Sequence, residues 1–96
     1  MYLKIHRNGE YEIVALCDED LIGKIFEEGK LIINVTESFY KGEKINEEEA
    51  VEALKNAGYI YVVGKESVQL CIKLGLVEDK NILRIKGVPH AQIISA

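Results

Sequence analysis

Gly64-Lys65-Glu66-Ser67 follows the apolar run Tyr59-Ile60-Tyr61-Val62-Val63. A passage from strand through glycine into helix leaves backbone N–H groups free to receive an anion. Lys65 and Ser67 could assist there, with Lys24 as a further charge partner. The pattern is neither GxGxxG nor GxxxxGK[ST], so no nucleotide site is specified, and a plain strand-to-helix turn accounts for the same residues. Cys17-Asp18-Glu19-Asp20 sets Asp18 and Asp20 where they could hold a divalent cation, beside a thiol whose pKa a helix N-terminus would lower. Asp18 is equally explained as a helix cap, and no second carboxylate or histidine cluster completes a ligand set, so no metal or cofactor is expected. In Gly87-Val88-Pro89-His90 the histidine starts a strand at the rim of a sheet, where it could be a general base, a ligand or a donor to a base edge. An incidental, partly exposed His is the plainer reading. Ser38-Phe39-Tyr40-Lys41-Gly42, with Lys44, puts two aromatics beside two lysines. Tyr40 could stack on a base while Lys41 and Lys44 neutralise phosphate, or Phe39 could pin the loop to the core with Tyr40 lying over the surface.

Composition bounds what these residues can serve. The 96 residues suffice for one domain with one core, and 48% hydrophobic with 29% charged is the balance of a soluble globular chain. Apolar runs are far too short for a membrane helix, and no signal peptide opens the chain, so a cytoplasmic protein is expected. Cys17 and Cys71 match no metal spacing and read as two reduced thiols. Acids outnumber bases 16 to 12, for a net charge of -4, which argues against a protein built mainly to grip phosphate. The acids are clustered, however, which leaves room for a local basic face.

The elements that must position these groups follow from pattern. Tyr2 to Cys17 reads as a hairpin about Asn8-Gly9. A three-residue loop, Arg7-Asn8-Gly9, pairs Leu3 with Ile13, Ile5 with Tyr11 and His6 with Glu10, separating apolar from charged residues. Asp18 then caps a helix running to about Glu28, with Leu21, Ile22, Ile25 and Phe26 inward. A strand over 31–35, a loop over 36–45 and a helix over 47–57, capped by Asn46, lead to the run at 59–63. That run has no charge to point at water, which suits a central strand covered on both faces. A helix after Gly64, burying Val68, Cys71, Ile72 and Leu74 and ending at Gly75, leads to a strand over 82–85 and a last one from Ala91 to Ile94. Both helical crossovers suit parallel pairing. The expectation is an α/β domain, with α+β as the alternative: one unit with an N-terminal hairpin, a mixed sheet of five or six strands and about three helices.

Cys17-Asp18-x-Asp20-Leu21-x-Gly23-Lys24, Phe26-x-Glu28-Gly29, Phe39-Tyr40-x-Gly42, Val63-Gly64-x-x-Ser67-Val68 and Gly87-Val88-Pro89-His90-Ala91, in that order, resemble the small archaeal proteins of domain-of-unknown-function family 424. The resemblance spans nearly the whole chain. It implies an archaeal cytosolic protein with a compact α/β domain, and it brings no catalytic residue with it. The expected function is a binding or accessory factor engaging RNA or a ribonucleoprotein, with Tyr40, Lys41, Lys44, Lys65, Ser67 and His90 as its contacts; no DNA is expected. The alternative is a small enzyme or ligand-binding protein with an anionic metabolite at Gly64, Lys65 and Lys24; a protein-interaction subunit is a third possibility.

Overall fold

Tyr59–Val63 (β6) lies inside a six-stranded sheet, between Tyr11–Cys17 (β2), to which it is parallel, and Val88–Ile94 (β8), to which it is antiparallel. These come from a computed structural model that describes residues 1–94. Tyr2–Asn8 (β1) pairs with β2, and the two-residue strand Glu43–Lys44 (β5) adds to the outside of β1. Leu83–Ile85 (β7) closes the other edge against β8, giving the order β5-β1-β2-β6-β8-β7.

Each inner strand feeds two cores, because successive side chains point to opposite faces. Val14, Leu16, Ile60, Val62, Ala91 and Ile93 pack beneath the helices Glu47–Leu54 (α2) and Lys65–Lys73 (α3). Ala15, Cys17, Val63 and Ile85 face the other way. They meet Tyr40 of the one-turn helix Glu37–Tyr40 (α1) and Ile33 of a small hairpin, Ile25–Glu28 (β3) with Leu31–Asn34 (β4). The result is a three-layer α/β domain, with no helix among the described residues long and apolar enough to cross a membrane.

The expected hairpin register is replaced by a two-residue turn at Gly9-Glu10, which pairs Leu3 with Leu16, Ile5 with Val14 and His6 with Ile13. The expected register assumed one wet face. Both faces of β1 and β2 are covered toward the Cys17 end, so apolar and charged residues need not segregate.

The expected helix over 18–28 is also absent. A short 3-10 turn at Glu19–Leu21 ends at Gly23, whose φ of 83° is left-handed, and Ile25-Phe26 enter a strand instead. Gly23 N–H donates to the Val35 carbonyl at 2.7 Å and Val35 N–H to that of Lys24 at 2.9 Å, which extends the hairpin pairing past β3. The strand over 31–35 therefore belongs to that hairpin and not to the main sheet. The loop over 36–45 holds α1, capped by Thr36, and β5.

Neither expected parallel pairing, of 31–35 with 59–63 or of 59–63 with 82–85, forms; the parallel pair is β2 with β6. β7 runs in the same direction as β6, but β8 lies between them and is antiparallel to both. A tight turn at Lys86-Gly87 allows this, and it starts β8 at Val88, three residues before the expected start.

The Asn46 cap stands as a full capping box with Glu49. Gly75 closes α3 by donating to Ile72 while Leu76 donates to Cys71, leaving Leu74 exposed instead of inward. Cys17 and Cys71 are free, buried thiols on opposite faces of the sheet.

Candidate functional site

At the start of α3 the helix supplies no cap of its own, because its N-cap residue is Gly64. The cap arrives from the end of β2. Asp18 Oδ2 accepts from Glu66 N–H at 3.1 Å, and Oδ1 accepts from Ser67 N–H at 2.8 Å and from the Ser67 hydroxyl at 2.7 Å. Gly64 has a φ of 108° and its Cα lies against that carboxylate, so any Cβ would strike it. The helix N-terminus therefore already holds an anion, and the internal one is Asp18. This overturns the anion site expected at Gly64 and Lys65. It also removes Ser67 as a ligand contact, since Ser67 is 0% exposed and bonded to Asp18. Among the described residues no group of three or more metal-ligating side chains gathers, and both Asp18 oxygens are committed to α3.

The remaining basic candidates do not converge. Lys65 is exposed beside Asp18 and Asp20 at a depression of about 170 Å³. Lys44 is engaged by Glu19 at 3.3 Å. Lys24 is exposed at the root of the β3–β4 hairpin, and Lys41 is exposed just after α1.

Tyr40 and His90 do meet, in a groove of about 400 Å³ between the β3–β4 hairpin, α1 and the sheet. Tyr40 is not the surface stacker expected of it: the ring is 5% exposed and forms part of the core, while Phe39 is half-buried. Burial, then the neighbouring Cys17 and Tyr61, pushes the Tyr40 phenol up to about 12, so it remains a hydrogen-bond donor. His90 forms the floor with Tyr61 and Gln92, while Ile32 and Asn34 of β4 form a wall. Burial lowers the His90 pKa, and its Nδ1 has no hydrogen-bond partner among the described residues. A buried N–H without an acceptor is costlier than a bare ring nitrogen, so the proton belongs on Nε2.

Aromatic rings continue from this groove across the sheet. Phe39 lies between His6, stacked at 4.5 Å between centroids, and Tyr61, tilted at 5.3 Å. His6 Nε2–H donates to the Phe39 carbonyl at 2.7 Å, in place of the expected pairing with Glu10. Two residues along β6 from Tyr61, Tyr59 meets Tyr11 edge-on at 5.5 Å. This half of the face has no covering layer: Tyr11 is 60% and Ile94 76% exposed. Sequence reasoning passed over Tyr59 and Tyr61, treating them as core. The available signal was residue type: tyrosines at alternate positions place an amphipathic ring on one face where Val or Ile would suit a closed core.

A family model described as Protein of unknown function (DUF424) matches residues 5–95. A solved structure, described as the crystal structure of an uncharacterized conserved protein from Methanopyrus kandleri, is similar over 99% of this chain and 92% of its own, with 27% identity and a TM-score of 0.73. No curated protein matches the chain.

Proposed function

The chain belongs to the DUF424 family of proteins of unknown function, and on that premise we propose that it is a binding domain for unpaired RNA, acting as an accessory factor to RNA or a ribonucleoprotein. The observation that carries this reading is a set of rings on one sheet face: Tyr11 and Tyr59 on its uncovered part, and Tyr61 with Phe39, both half-buried, where α1 and the groove begin. Unpaired bases stack on such rings whatever their sequence, and each stacked base is worth about 1–3 kcal/mol. Lys41 and Lys4 supply charge at the α1 end, where Lys4 Nζ donates to the Ser38 carbonyl at 2.7 Å. With a net charge of -4 and few lysines beside the rings, stacking outweighs phosphate contact in this reading. The enzyme alternative loses its support, because Asp18 and Ser67 bind each other and His90 lines a different cavity from Lys65.

The test is fluorescence anisotropy with a short single-stranded RNA across a salt series. Tyr61→Ala should weaken binding about tenfold, and Lys41→Glu should flatten the salt slope by about 0.7. Equal affinity of wild type and the Tyr59→Ala/Tyr61→Ala double variant, or no binding by either, would sink the reading.

A further inference from the structure

We infer that the groove between β4, α1 and the strands β6 and β8 is a pocket for one unpaired nucleobase, lying against Tyr61 or Phe39 and read at its edge by His90, Asn34 and Gln92. This rests on the RNA reading and states what that same site selects. The charge of the lining selects a neutral occupant. No Lys, Arg, Asp or Glu lines the groove, so a phosphate or carboxylate would enter without a counter-ion while a neutral ring meets no penalty.

The groove also mixes two kinds of surface. Phe39 and Tyr61 present ring area, and the amides of Asn34 and Gln92 open on the same space. An aliphatic or lipid tail would leave those amides unpaired, whereas a base has both a flat face and a rim of donors and acceptors. His90 adds one donor of fixed sense. Its Nδ1 has no partner among the described residues, which places the proton on Nε2. About 400 Å³ lies at the small end of ligand sites and leaves room for a base. The sugar and phosphate then remain outside the groove.

The experiment titrates each of the four neutral ribonucleosides, up to about 10 mM to cover weak binding, into the ¹⁵N-labelled full chain, following the His90 ring nitrogens and the amides of residues 34, 61 and 92 by NMR. One or two nucleosides should give saturable shifts that scarcely change with salt. In RNA oligonucleotides, Gln92→Ala and Asn34→Ala should each cut the preference for that base about tenfold while leaving binding to other sequences intact. Both side chains are exposed, so these variants should fold.

If no nucleoside shifts these signals, yet an oligonucleotide binds and Tyr61→Ala weakens it, the pocket is refuted and the RNA reading stands. An unchanged base preference in both variants overturns it equally. If neither nucleoside nor oligonucleotide binds, both readings fall.

Discussion

Asp18 and Gly64 act as one unit, with a carboxylate from one strand end capping a helix that starts at another. Replacing Asp18 with Asn should cost about 1.5–3 kcal/mol in urea unfolding, the range for hydrogen bonds to a charged group. Gly64→Ala should cost more than about 1 kcal/mol, from the positive φ together with the collision with Asp18. Since part of that cost is the collision, Gly64→Ala should be milder on an Asp18→Ala background; additive costs in the double-mutant cycle would refute the coupling. His90 sets a pH dependence of stability. Burial lowers its folded pKa, so the folded state favours the neutral ring. The two states differ in bound protons only between the folded value and the unfolded value of about 6.5. The full stability is therefore present above about 6.5 and is lost as pH falls through the lowered folded value. His90→Gln should remove that step from a plot of urea midpoint against pH.

Among the elements, helices α2 and α3 obey their local signals, while the segment from Asp18 to Val35 does not. Asn46 and Glu49 form a capping box, with each side chain bonded to the other's backbone N–H. Asn46→Ala should lower stability by about 1 kcal/mol without altering the fold, measured by urea midpoint and circular dichroism. Leu21, Ile22, Ile25 and Phe26 have helical spacing, yet Gly23 interrupts them with a left-handed backbone, and the Gly29-Lys30 turn folds β4 back onto β3. In the strand, Phe26 faces Ile33 and packs on the sheet while Ile25 points out, so four apolar residues in one short window fit two periods. The deciding term is a partner strand, which a helical window does not contain.

At the scale of the molecule the sheet has a closed side and a half-closed one, and each side holds one thiol. Burial, then Asp18, pushes the Cys17 thiol up to about 12, and burial pushes that of Cys71 up to about 11. Both should resist iodoacetamide at neutral pH. If the two cores melt together, both should become reactive at the same urea concentration, as read by mass spectrometry of each cysteine peptide; separate midpoints would mean the cores open independently. The sequence alone determined the α/β class, the buried residues Ile60, Val62 and Val63 of β6, the Asn46 cap of α2, the end of α3 at Gly75, and the family resemblance, whereas α2 stops at Leu54, short of the expected 57. These rest on local terms: period, capping chemistry and the order of short motifs. Only the tertiary structure decided that β8 inserts between β6 and β7, that Asp18 fills the place predicted for an outside anion, and that Tyr40 is buried while Tyr59 and Tyr61 are only half-buried. Strand order and the covering of a face depend on contacts between residues far apart in the chain. A tyrosine has the same letter whether or not a layer is packed above it.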